Sequence, residues 1–281
     1  MTAAPVAAPT EVRTHPIGLV PAVLVCGAAV LLFGFLLPLA GYAMLLAGLV
    51  AAWLTDRSGR TSRLLPDLFL IALGQAIIST ISLEADISYP AMLRFAVVLG
   101  AAVAVPYVIS RYWYGDRVIR FPWRTGQRWT RTQWIYLVAV SVTGWLVLPF
   151  YFITSGVYQN WPTVTEPDEI ARLFVGVNAV GTWDELFFIC TVFALLRRHF
   201  PTWQANLLQT VVFVSFLWEL GYQSWGPLLT IPFALIQGYT FKLTKSLTYV
   251  LVVHLIFDAV VFCVIVYAHT GWPAIFPLVP S

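Results

Sequence analysis

The stretch WDELFF, Trp183 to Phe188, puts two adjacent acids inside a run of residues otherwise apolar enough to cross a membrane. A carboxylate in hydrocarbon is costly unless it is paired, hydrated or protonated. Whether Asp184 and Glu185 meet hydrocarbon at all depends on the chain around them. Of its 281 residues, 59% are hydrophobic and only 10% are charged, and the mean hydropathy is +0.81. Soluble domains carry about 25% charged residues, so a chain this poor in charge has too little to solvate its surface. The composition excludes an ordinary soluble enzyme and indicates an all-α, polytopic integral membrane bundle. Twelve Trp and twelve Tyr suit a chain that anchors many helix ends among lipid headgroups.

A span needs about 20 mostly apolar residues. Segments near 17–37, 39–54, 66–83, 90–110, 133–154, 170–196, 205–222, 226–241 and 246–268 meet or approach that requirement. The first pair also reads as one hairpin around Pro38, which makes the expected count eight to nine. Loop charges favour nine. Arg57, Arg60 and Arg63 fall in one loop; Arg111, Arg117, Arg120, Arg124, Arg128 and Arg131 fall in 111–132. Arg197 and Arg198, then Lys242 and Lys245, mark two more basic connections. The alternate loops carry Glu84 and Asp86, then Glu166, Asp168 and Glu169. Nine spans put every basic loop on one side and predict a cytoplasmic N-terminus in the plasma membrane.

The chain then divides into an Ala/Pro/Thr-rich tail at 1–16, expected to be disordered, scaffold helices over 17–154, a core over 170–268 and a C-terminal tail at 269–281. The net charge of +3 reflects the loop asymmetry. The Arg- and Trp-rich loop 111–132 reads as a segment lying on anionic lipid headgroups, with no nucleic-acid partner expected. Cys26, Cys190 and Cys263 all fall inside spans and suggest neither a disulfide framework nor a thiolate zinc site. Oligomeric state is not encoded in any of these features.

Of thirteen acids, nine lie in the tail, in loops or at span ends. The other four, Asp184, Glu185, Glu219 and Asp258, lie within spans six, seven and nine, and His254 joins them. Asn178, Thr182 and Glu185 share a helix face, with Asp184 about 100° away. Ser215, Glu219 and Tyr222 repeat the same spacing on span seven, and His254 and Asp258 stand one turn apart on span nine. Each polar stripe alone is explained by interhelical hydrogen bonding. Their coincidence on three helices points to one polar cavity.

Carboxylates with a histidine are the means of activating water, because a carboxyl group in an apolar cavity can serve as a general base near neutral pH. The same donors suit a divalent Zn, Mn or Fe ion, held by Glu185, Glu219, His254 and Asp258. Both routes lead to hydrolysis within the membrane.

The order and spacing of these residues resemble the CPBP (CAAX protease and bacteriocin-processing) family of intramembrane proteases, whose pattern is EExxxR, then FxxxH, then HxxxN or HxxxD. Here Asp184, Glu185 and Ile189 fall on the first motif, Ser215 and Glu219 on the second, and His254 and Asp258 on the third. GYTFKLTKSLTYVLVVH, from Gly238, is similar to the family's approach to its last histidine, with Lys245 in the glycine place of T-G-S-L. The resemblance implies an intramembrane endopeptidase acting on a membrane-associated protein or peptide. In it Glu185 would activate the water with help from Asp184, and Glu219, His254 and Asp258 would complete the site, with Asn178, Thr182, Ser215 and Tyr222 in support. The departures are Asp for Glu at 184, Ile189 for the arginine and Glu219 for the histidine. A carboxylate at 219 cannot stabilise an oxyanion unless it is protonated or bound to a cation. Two other expectations therefore stand beside peptidase activity: a non-cutting relative that binds membrane partners, and a proton- or cation-coupled carrier.

Overall fold

A computed structural model describes residues 16–124, 126 and 128–279. The expected tail at 1–16 lies outside the described residues except for Pro16. The described chain is helical and contains no strand. Its helices are α1 (Leu19–Gly34), α2 (Pro38–Arg57), α3 (Leu64–Ile78), α4 (Tyr89–Trp113), α5 (Arg131–Thr154), α6 (Pro167–Leu196), α7 (Thr202–Leu220), α8 (Pro227–Thr244) and α9 (Leu247–Thr270). They follow the nine apolar segments one for one. Five of them, α2, α4, α5, α6 and α9, are long and apolar enough to cross a membrane, while α1 and α3 are shorter apolar helices.

The helix ends are set by local chemistry. Thr130 and Gln133 bond reciprocally to each other's backbone N–H at the start of α5, the arrangement that satisfies two otherwise orphan donors. The Glu169 carboxylate accepts from the backbone N–H of Thr165 and Glu166 at the start of α6, with Pro167 as its first residue. Ser246 caps α9 by accepting from Tyr249 N. Lys245, just before it, has φ +51°, a left-handed conformation that suits glycine. This explains physically why a glycine would fit the place that Lys245 occupies.

The loops sort by charge into two ends. At the basic end, Arg63 and Arg198 both bond to Asp116, Leu247 N donates to Pro122 O, and Thr248 donates to Trp123 O. At the acidic end, Tyr89 donates to Asp168, Arg172 to Ile87 O, and Asn160 to Gly221 O. The alternation read from the loops is therefore reproduced in space.

A large apolar core joins α1–α4 to α6 and α7, with Phe187, Phe188, Phe193, Phe213 and Phe216 at its centre. Helix α6 is its spine. The Trp183 indole N–H donates to Leu99 O on α4 at 2.6 Å, and its ring stacks on Phe187. From Glu185 to Phe193 the helix widens into a π turn, and the Thr191 side-chain hydroxyl donates to Leu186 O. Such widened stretches are rare and concentrate at functional sites.

Candidate active site

The widened turn of α6 faces α8 and α9. His254 lies two turns into α9, with its Nδ1 2.8 Å from Glu185 Oε1. Its Nε2 is 3.6 Å from Asp184 Oδ2 and 3.8 Å from Asp258 Oδ1. All four side chains are buried, Glu185 completely. One imidazole thus has a carboxyl group against one nitrogen and two more around the other. Among the described residues no Lys or Arg forms an ion pair with these acids. Ile189, in the arginine place of the motif, is wholly buried in the apolar core instead. Asp184 Oδ1, Glu185 Oε2 and Asp258 Oδ2 have no hydrogen-bond partner.

Close packing makes this convergence. Gly181, one turn before Glu185, leaves the space that Asp258 occupies, and a methyl group there would overlap Asp258 Oδ2. Gly238 does the same between α8 and α7, where a methyl group would overlap the amide of Asn206. Asn206 and Gln209 on α7 donate to Leu235 O and Ala234 O, which fixes α8 against α7. Phe233 then stands edge-on to His254 at 5.0 Å, and Phe213 lies 6.1 Å away.

A cavity of about 700 Å³ opens onto this cluster between α4, α5, α6, α8 and α9. Its walls are mainly apolar, including Phe95, Val140, Val180 and Ile236, and its polar residues include Asp184, His254 and Asp258. Tyr222 lines the same cavity. Glu185 is not among the lining residues; it sits behind His254. The arrangement can hold a water molecule between His254 Nε2 and the two aspartates while Glu185 orients the ring from its far side.

Asp184, Glu185, His254 and Asp258 therefore come together as the sequence suggested, with Tyr222 on the cavity wall. The other expected members do not join them. Glu219 stands at the acidic end of α7, where its carboxylate accepts from Leu83 N at 2.9 Å and closes the turn after α3. Its depth on the helix excludes it, because α7 presents Phe213 and Phe216 at the level of the site. Ser215 donates to Val211 O, Thr182 to Asn178 O and Asn178 to Phe174 O, so each is occupied by its own helix. Without Glu219, the four-ligand metal set is not assembled. Among the described residues no group of three or more His, Cys, Asp and Glu is set to hold a metal ion.

One residue was missed. Gln237 on α8, fully buried, donates from Nε2 to Glu185 Oε1 at 2.7 Å and to Val250 O at 3.0 Å. The signal was present: a lone amide in the apolar run IPFALIQGYTF.

Residues 166–260 match the family model described as Rce1-like, type II CAAX prenyl endopeptidase Rce1-like. The matched span contains the whole cluster, from Gly181 to Asp258, and agrees with the CPBP resemblance carried by the motifs. No curated protein and no solved structure matches the chain. The chain is an all-helical membrane protein, about a third of which, residues 166–260, is similar to the Rce1-like endopeptidase family.

Proposed function

We propose that the protein is an intramembrane endopeptidase that hydrolyses a peptide bond in a membrane-associated protein or peptide bearing an apolar group near the cleavage point. The observation that carries this reading is the imidazole of His254 at the wall of a 700 Å³ apolar cavity, backed by Glu185 at 2.8 Å and flanked by Asp184 and Asp258. His254 Nε2 accepts a proton from a water held between the two aspartates. The oxygen attacks the scissile carbonyl carbon, and the proton passes to the leaving amine. Positioned proton transfer of this kind contributes about 10² to 10⁴ in rate. The imidazole takes the role of base, with Glu185 as its orienting partner, so the geometry favours a division of labour different from the one the family resemblance implied. We assign the basic end to the cytoplasmic side of the plasma membrane, which brings His254 nearer to substrates arriving from that side.

Reconstitution into liposomes with a fluorogenic farnesylated CAAX-type peptide, and its unprenylated counterpart, tests the reading. Wild type is expected to cleave the farnesylated peptide, and His254→Ala to lose about 10²-fold or more of that rate. Equal cleavage by both proteins would sink the proposal. The buried Ile189, standing where the motif carries arginine, favours a second reading as a non-cutting membrane partner-binding protein. In that case the farnesylated peptide binds the cavity and stays intact.

A further inference from the structure

Gln237 belongs to no motif, yet it is fully buried and bonded at the back of the cluster. Its surroundings fix its orientation. The Val250 carbonyl oxygen, 3.0 Å away, can only accept, so the nitrogen end of the Gln237 amide must face it. The same –NH₂ group then donates its second hydrogen to Glu185 Oε1 at 2.7 Å. That oxygen also lies 2.8 Å from His254 Nδ1. An oxygen that already receives one N–H bond favours receiving another over carrying a proton of its own. The proton of the neutral imidazole is therefore held on Nδ1, and the lone pair on Nε2 faces Asp184, Asp258 and the cavity.

We infer that Gln237 is a positioning residue that, through Glu185, locks His254 in the Nδ1–H tautomer required of a base at Nε2. The inference deepens the proposed hydrolytic role and rests on it for its significance, but not for its test. A histidine's protonated nitrogen is set by the bond its other nitrogen makes. Here that bond is itself oriented by a main-chain carbonyl of the histidine's own helix, one turn before it, relayed through an amide on α8. The chain Val250 O, Gln237, Glu185, His254 thus ties the tautomer to the packing of α8 against α6 and α9.

The test is ¹⁵N NMR of histidine-labelled full-length protein in lipid nanodiscs, at a pH that keeps the ring neutral. His254 is identified by the signal lost in His254→Ala. Wild type is expected to show the proton on Nδ1. Gln237→Met, similar in length and without a donor, should shift the tautomer ratio toward Nε2–H by about three- to tenfold, the equilibrium worth of one hydrogen bond. Gln237→Leu, also without a donor, should give the same shift and replaces the methionine variant if that protein does not fold. A proton on Nε2 in wild type, or an unchanged ratio in the folded variant, overturns the inference. The readout does not depend on turnover. A tautomer lock without cleavage would remove the hydrolase reading and leave the lock standing; cleavage without a lock would do the reverse.

Discussion

Among the described residues there are two buried histidine–carboxylate pairs, and they differ in what surrounds them. At the basic end, His199 Nε2 lies 2.6 Å from Asp67 Oδ2, with Arg198 on the other Asp67 oxygen at 3.2 Å. Arg198 also reaches Asp116 at 2.5 Å, and Arg63 reaches it at 3.1 Å. In mid-bundle, His254 meets Glu185, Asp184 and Asp258 with no arginine, beside a cavity. The first cluster has positive charge for its acids and ties α3, α6 and two loops together. The second leaves carboxyl oxygens without protein partners at the edge of a void. A buried acid with its cation holds helices in register, whereas a buried acid without one, facing a cavity, is available for chemistry.

The two sites should fail in opposite ways. The largest effect is expected for His254→Ala: peptide cleavage in liposomes falls by about 10² to 10⁴, while thermal unfolding in detergent shifts little. Next comes Asp67→Ala, which leaves buried His199 without its carboxylate and Arg198 with Asp116 alone. Breaking a buried ion pair costs about 3–5 kcal/mol, so the unfolding temperature should drop sharply while the folded fraction keeps its specific activity. A loss of specific activity with normal stability would erase the contrast between the clusters. Gly181→Ala sharpens it from the other side, since the added methyl displaces the Asp258 carboxyl group. A misplacement of that order costs about 10²-fold in rate, to be read in kcat with stability followed in parallel. The smallest effect belongs to Glu219→Ala, which removes the acceptor for Leu83 N. It should cost about 1–3 kcal/mol of stability and leave cleavage by the folded protein unchanged. A large loss in kcat would restore Glu219 to the active site.

Much of this arrangement is legible in the sequence, and the reasons are specific. Among the described residues nine helices follow from nine apolar runs, because only a satisfied backbone survives in lipid and hydropathy reports that constraint directly. Asp184, Glu185, His254 and Asp258 are legible because their charge is out of place among apolar residues. Glu219 misled for the same reason: the polarity was real, but its depth on α7 decides which partner it finds, and that partner is Leu83 N. Ser215, Thr182 and Asn178 show that a polar stripe on a helix can be spent on the helix's own carbonyls. Asp67 sits at a span end and His199 in a loop in the sequence, yet both are almost fully buried, because the basic end brings them against each other and Arg198. Gln237 needed the third dimension: its meaning lies in Val250 and Glu185, neither of them near it in the chain.

Helix α6 links the two clusters, with Asp184 just before the widened turn, Glu185 its first residue, and Arg198 and His199 just beyond the helix end. An α-helix advances about 100° per residue, so the surplus residue in a π turn acts as a phase shifter between the two. Deleting one residue between Leu186 and Phe193 would let the helix close into ordinary α geometry and rotate one cluster against the other by about that angle. The structural joint and the reactive centre could then not both meet their partners. The chain length of this single segment is therefore a constraint in itself: substitutions there can be tolerated singly, but a change in residue count would uncouple the scaffold from the chemistry.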